Sequence, residues 1–292
     1  MRNAATALMT LRRPGFRVAA VLLVLVASNA LAASTLERIR DRGAIVFAYR
    51  DGAAPFSFKD RDGRVRGYTV ELCTRVARAI ERELRLPTLP VRWIGVDAAD
   101  RIDAVTSGRA DAECGTTTMT LSRMERVDFS LPVFVDGGAL AVRAQSPVKR
   151  LADLDGRRVA VIAGTTTEHA LRAALGVAGA KATVVNVAKP EDGAAALREG
   201  RVDAYAGDRI VLTQIMLRSG DALAVLPDDF SLEPYAIMVG RDDPDFRLAV
   251  NRALVAMYKH GDIDAVFQQW LAPIGKPSPL LNAMFYLNAL PD

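Results

Sequence analysis

"SGRADAECG" (107–115) and "EGRVDAYAG" (199–207) agree at five of nine positions, sharing Gly, Arg, Asp, Ala and Gly. Each follows a helical stretch, reaches a glycine where helices close in left-handed backbone, and runs as a short strand into a loop. These residues are common in the chain, so coincidence is the alternative. Read physically, the pair describes two helix–strand units of the same design, which suggests two similar α/β lobes. Ligands of open α/β sheets sit beyond the carboxyl ends of the strands. The loops opening at Gly115 and Gly207 therefore point toward a site, one cleft between the lobes.

The surrounding sequence has the same alternation. "AIVFAY" (44–49), "VRWIG", "ADAEC", "RVAVIA", "ATVVNV" and "VDAYAG" read as strands. Helical patterns lie between them: "VELCTRVARAIERELR" (70–85), "RIDAVTSG", and stretches from Glu168, before Gly200 and from Arg209. Strands alternating with helices predict an α/β protein with mainly parallel sheets. "LPVFVDGGALAVRA" (131–144), broken at Gly137–Gly138, and "EPYAIMVG" (233–240) are extended and apolar, and read as two crossings between lobes. The expected organisation is lobe 1 over 34–137 and 240–292, with lobe 2 (138–239) inserted. A helix over "DFRLAVNRALVAMYKHG", another ending in "VFQQWL" and a Pro-rich tail close the chain.

The N-terminus bears on compartment. Arg12, Arg13 and Arg17 precede an apolar run from Val18 to Val26 and the small residues "NALAAS". That is the pattern of a secretory signal peptide cleaved after Ala32 or Ala33. The alternative, a membrane anchor, would need about 20 apolar residues. Cys73 is the first cysteine, so no lipid-anchoring cysteine follows the leader. The whole chain has 38 basic and 34 acidic residues; without the leader's four arginines the balance is 34 to 34. A neutral mature chain gives no case for nucleic acid or an anionic membrane as partner. Cys73 and Cys114 read either as a disulfide, suited to an oxidising compartment, or as two buried thiols.

Several polar groups cluster at strand ends. In "AECGTTTMTLSRMERVDFS" (112–130), Gly115 permits close backbone approach, and Thr116, Thr117 and Thr118 supply hydroxyls and amides. Ser122 with Glu125 reads as a capping box. Arg123 then falls in a first helical turn, where the dipole disfavours a cation. An anionic ligand would explain it, since a guanidinium fork fits a carboxylate; a solvated surface arginine is the other reading. "AGTTTEHA" (163–170) again sets glycine and threonines at a helix start, where free amides attract anions. One threonine would serve as a plain N-cap. Asp208 reads as an N-cap or as the counter-charge for an ammonium group. Arg50 ends the first strand and Arg101 opens a helix; each alone reads as a surface charge.

Enzyme signatures are missing: no Gly-x-Ser-x-Gly, His-Glu-x-x-His or Gly-x-Gly-x-x-Gly occurs. His169 and His260 carry no recognisable partner. Two cysteines and two histidines exclude a Cys- or His-rich metal site by count. No cofactor, metal or catalytic residue is expected.

"TLERIRDRGAIVFAYRDGAAPFSFKDRDGRVRGYTVEL", "ECGTTTMTLSRMERVDFSLPVF", "DLDGRRVAVIAGTTTE" and "MYKHGDIDAVFQQWL" together resemble the periplasmic polar amino-acid-binding proteins of ABC importers, solute-binding protein family 3. "CGTTT", the preceding "RI" and "LLNAMFYL" look most like the glutamate/aspartate-binding branch. The resemblance implies a two-lobe, type II periplasmic-binding-protein fold with two hinge crossings, each lobe a mixed, mainly parallel sheet flanked by helices. It also implies a monomer in the periplasm that delivers an amino acid to a membrane permease. By the same resemblance Arg123, Thr118 and Thr166 hold the ligand α-carboxylate, Thr116 and Asp208 the α-ammonium, and Arg50 and Arg101 a side-chain carboxylate. Two departures fall at the side-chain end: Pro190 stands where that branch has a histidine, and Ala98 where it has a serine. Glutamine, asparagine or a different dicarboxylate therefore stays open as ligand. A cyclohexadienyl-type dehydratase on the same fold, with Glu113 or Asp208 as general acid, is the enzymatic rival, and the sensor module of a receptor kinase a third class.

Overall fold

The computed structural model describes residues 33–291. The expected leader therefore lies, Ala33 aside, outside the described residues. Ser34 starts α1 (Thr35–Arg42) with a reciprocal capping box: its hydroxyl accepts from Glu37 N, and the Glu37 carboxylate accepts from Ser34 N at 2.8 Å. β1 (Ile45–Arg50) follows, then a small hairpin of β2 (Phe58–Lys59) and β3 (Val65–Arg66). α2 (Tyr68–Glu83) buries Leu72, Cys73, Val76, Ala77 and Ile80 as one stripe at helical spacing. β4 (Val91–Val96), α3 (Arg101–Thr106), β5 (Ala112–Glu113) and α4 (Leu121–Met124) lead into the long β6 (Val127–Arg143).

Alternation resumes with β7 (Arg158–Ile162), α5 (Thr166–Val177), β8 (Thr183–Val187), α6 (Pro190–Arg198), β9 (Ala204–Asp208), α7 (Arg209–Arg218) and β10 (Leu223–Val225). β11 (Ser231–Gly240), α8 (Pro244–His260), α9 (Asp262–Leu271) and α10 (Pro279–Leu287) complete the described chain. Among the described residues no helix is long and apolar enough to cross a membrane.

The strands join in the order β4-β1-β5-β11-β6-β9-β7-β8, with β10 also on β6. Pairing is parallel within β4-β1-β5 and within β9-β7-β8, and antiparallel where β6 and β11 run between these flanks. Both echo units appear as helix–strand pairs, α3–β5 and α6–β9; β5 opens into the threonine loop as read, whereas β9 runs directly into α7 with no loop between. Phe47, Leu72 and Phe246 belong to the apolar core of the first flank; Leu140, Val159 and Leu171 to that of the second. Around the crossing strands, Phe56 packs edge-on against Phe134 and Tyr235 at centroid distances of 4.9 and 5.5 Å. The buried Tyr68 hydroxyl donates to Val133 O at 2.9 Å. Cys73 and Cys114 form a disulfide, tying α2 to the residue after β5.

Two local expectations change. Gly137–Gly138 does not break β6, which continues through both residues. A Cβ at Gly137 would lie 2.4 Å from the Asp229 carboxyl carbon, and one at Gly138 would lie 2.4 Å from Ser231 Oγ. The glycines serve close approach of the chain entering β11, a use of strand glycine other than breaking it. The Pro-rich tail is also more ordered than read: Ser278 caps α10 and Pro279 takes its first position. Leu281, Met284 and Phe285 are buried there, and Phe285 stacks on Tyr258 at 5.5 Å.

Candidate functional site

Segments from both flanks converge on one cavity: the ends of β1, β7 and β9, the loop after β5, and the starts of α3, α5 and α6. Arg50, Arg101, Thr116, Thr118, Thr166 and Asp208 all line it, with Pro190, Tyr205 and Ile162 among their neighbours. Its volume is about 30 Å³, room for about two waters. The walls are already in contact across it. A Cβ on Gly52, after β1, would meet the Pro190 ring at 3.3 Å. Thr166 Oγ1 lies 3.1 Å from Thr118 Oγ1.

Arg50 and Arg101 form its cationic end. They are 6% and 2% exposed, so each guanidinium has left bulk water. Arg50 Nη1 reaches Thr116 Oγ1 at 3.4 Å. Arg101 Nε and Nη1 are buried with no hydrogen-bond partner. Burial pushes the Arg101 pKa down to about 9, and Arg50 and Arg123 push the same way as like charges. Glu113, fully buried behind the threonine loop, acts the other way on Arg101. Burial raises the Glu113 carboxyl itself, with Arg101 the main opposing influence. Gly115 makes this packing feasible, since a Cβ there would lie 2.1 Å from Glu113 Oε1.

Asp208 forms the anionic end. It occupies the N-cap position of α7, yet its side chain makes no capping bond. Instead Oδ1 accepts from Thr167 Oγ1 at 3.0 Å. The amide of Ile210 in that helix is taken by Asp136 Oδ2 at 3.2 Å. Asp136, on β6, is buried; desolvation first, then the nearby Asp208, push its carboxyl up to about 8. Asp136 takes over the capping, and Asp208 is left to face the cavity.

The threonine loop is fixed to a crossing strand by Met119 N donating to Pro234 O and Ala236 N to Thr117 O. Thr120, not Ser122, caps α4, accepting from Arg123 N at 3.1 Å. The side chain of Thr120 already projects from extended backbone at the helix entry, which leaves the Ser122–Glu125 pair no cap to make. Arg123 is half-buried and does not line the cavity. Its Nη1 donates to Thr118 O at 2.6 Å, holding the loop from behind. Thr165 caps α5 and accepts from Glu168 N, so Thr166 and Thr167 are left for the cavity. Ala98 is buried but does not line the cavity, whereas Pro190 does.

Sequence reasoning missed Glu233 and Asp136, the two buried acids of the crossing strands. Glu233 Oε2 accepts from Thr118 Oγ1 at 2.6 Å and from Thr166 Oγ1 at 2.7 Å, and Oε1 accepts from Ser231 Oγ at 2.7 Å. A signal was available: each is an acid within an otherwise apolar strand, where ionised side chains need partners.

Fixed cations at one end, a fixed anion at the other and hydroxyls between them make a cleft suited to a small zwitterion. Polar loops from both sheet flanks around one cavity define the two-lobe, type II periplasmic-binding-protein class. The chain belongs to the bacterial extracellular solute-binding proteins, family 3, whose family model matches residues 45–273. It is similar to the L-glutamate/L-aspartate-binding protein of Pseudomonas aeruginosa, with 32% identity over 93% of this chain and 90% of that protein. It also resembles the L-cystine-binding protein of Escherichia coli K12, with 28% identity over 80% of this chain and 85% of that one. Among solved structures, an ancestral amino acid-binding protein described as a precursor of cyclohexadienyl dehydratase aligns with a TM-score of 0.72 and 28% identity, over 81% of this chain and 99% of the other.

Proposed function

We propose that this protein is a periplasmic receptor for an acidic amino acid, glutamate or aspartate, which it passes to the membrane permease of an ABC importer. The observation that carries the ligand reading is Arg101: a cation lining the cavity, with two buried guanidinium nitrogens lacking any acceptor. Buried guanidinium donors without acceptors are costly even with the buried Glu113 carboxylate acting on the charge, and a ligand carboxylate would supply the missing acceptors in the geometry a guanidinium favours. Arg50 would share that carboxylate. Asp208 and Thr116 would hold the α-ammonium and Thr118 and Thr166 the α-carboxylate, with Arg123 supporting them from behind the loop. The likeness to the Pseudomonas glutamate/aspartate binder supports the same choice.

Closure follows from where these groups stand. Arg50, Arg101, Thr116, Thr118 and Arg123 come from the lobe proposed over 34–137 and 240–292; Thr166 and Asp208 come from the one proposed over 138–239. A ligand touching both favours the closed arrangement over the open one, and its differential affinity sets the shift. The leader would be removed and the protein would act as a monomer without cofactor or turnover.

Pro190 favours a second reading, an uncharged side chain as in glutamine or asparagine. It lines the cavity and offers no donor where the acidic-ligand branch has a histidine. Calorimetric titration of ligand-stripped protein with L-glutamate, L-aspartate, L-glutamine and L-asparagine separates the readings. Binding of the acids well above the amides supports the first; preference for the amides transfers support to the second; binding of none removes both.

A further inference from the structure

We infer that Glu113 sets which side-chain charge the cleft accepts. From behind the threonine loop its carboxylate balances one of the two cavity-lining guanidinium charges, Arg50 and Arg101, and leaves one for the ligand. The inference rests on the acidic-amino-acid reading proposed above and adds the residue that limits it to a single negative charge. Glu113 ends β5, where it pairs with Ala48 of β1 and Met238 of β11, and it is fully buried. Among the described residues, seven buried side-chain atoms lack a hydrogen-bond partner. Four of them are both Glu113 oxygens and the Arg101 Nε and Nη1. Buried polar groups ordinarily pair, so an acid and a cation left unbonded together point to work done by their charges. Arg50, Arg101 and Glu113 stand on β1, α3 and β5 of one flank, so their arrangement is independent of how the cleft walls meet.

The Cβ position at Gly115 lies 2.1 Å from Glu113 Oε1 and 3.1 Å from Arg50 Cβ, so the carboxylate stands beside the root of the Arg50 side chain. Burial, Arg50 and Arg123 work against the Arg101 cation, and Glu113 is the strongest influence in its favour. Burial works against the Glu113 charge in turn, and Arg101 leads the cations that support it. Arg123 stays outside this balance: burial opposes its charge first, and Glu233 is the acid that most supports it. Two lining cations with one acid behind them leave one positive charge for the ligand side chain. Charges removed from water act over several ångströms, so Glu113 need not touch the ligand. A side-chain carboxylate completes the balance, whereas an amide leaves a cation unmatched. A phosphate ester, at about −1.5 to −2 near pH 7, brings an excess of negative charge into the site.

Calorimetry on ligand-stripped wild type and Glu113→Gln, with L-glutamine, L-glutamate and O-phospho-L-serine, tests this. Removing the acid's charge should favour ligands in proportion to their own negative charge. Relative to glutamine, glutamate should gain about threefold or more and O-phospho-L-serine about tenfold or more. An acid that only supports the loop would weaken all three by one common factor, and that result overturns the inference. A second measurement needs no variant and decides the matter if Glu113→Gln does not fold. Between about pH 5 and about pH 7.5 the phosphate, with a pKa of about 6, gains its second charge, while glutamate is already ionised. In wild type the affinity for O-phospho-L-serine relative to glutamate should fall about fivefold or more over that interval. A constant or rising ratio overturns the inference. Glutamate binding with the wrong ratios sinks this inference alone; wild type binding none of the three sinks the receptor reading together with it.

Discussion

Thr167 Oγ1 donates to Asp208 Oδ1 over 3.0 Å, joining the first turn of α5 to the end of β9. The bond fixes the direction of a carboxylate that stands at a helix start and caps nothing. Asp208→Asn keeps the shape and removes the charge. An ion-supported hydrogen bond contributes about 1.5–3 kcal/mol, so the variant should bind its amino acid at least about tenfold more weakly by calorimetry. Thr167→Val, which only frees the carboxylate to turn, should lose less.

Arg101 and Arg123 should fail differently. Arg101→Ala removes the charge facing a ligand side chain, so glutamate affinity should drop about tenfold or more while glutamine changes less. Arg123→Ala loosens the loop that presents Thr118, and should weaken both ligands by similar factors. Titrating both variants with both amino acids checks the contrast; equal ratios in the two variants would undo the assignment of separate ends.

The Cys73–Cys114 disulfide closes a sequence separation of 41 residues and ends one residue before Gly115. Cross-links of this kind typically stabilise a fold by about 2–4 kcal/mol, largely through the unfolded chain. Replacing both cysteines with serine should lower the urea midpoint by a corresponding amount. Ligand affinity should weaken too, because the threonine loop loses its anchor to α2.

Asp136 gives a pH dependence with a definite sign. Its folded pKa, about 8, lies above the ordinary 3.8. The folded state therefore binds more protons between those values, and stability from this group is full below the unfolded pKa and falls as pH rises toward 8. Asp136→Asn should abolish that slope. Against wild type, the variant's thermal midpoint should become more favourable as pH goes from about 5 to about 9. A constant difference across that range would show that Asp136 is already ionised.

Much of this site was legible because its signals are local. The glycine closing each helix before an echo strand, the threonines after Gly115 and the Thr165 cap are written in neighbouring residues. Asp208 stood out at a strand end, whereas Arg50 and Arg101 read alone as surface charges and are in fact buried. What stayed hidden depends on distant partners. Glu233 gains its meaning from Thr118, 115 positions away, and Thr166, 67 away. Gly137–Gly138 looked like a break because glycine usually weakens strands, and only the chain folded over it, at Asp229 and Ser231, explains its use. Helix α10 was legible in Ser278–Pro279 but masked by the prolines around it.

The most direct measurement is a crystal structure of the protein grown with L-glutamate. One glutamate is expected in the cleft, its side-chain carboxylate on Arg101 Nε and Nη1 and its ammonium on Asp208. A glutamate bound in the reverse direction, or a cleft without glutamate while Arg101 stays unpaired, would contradict it.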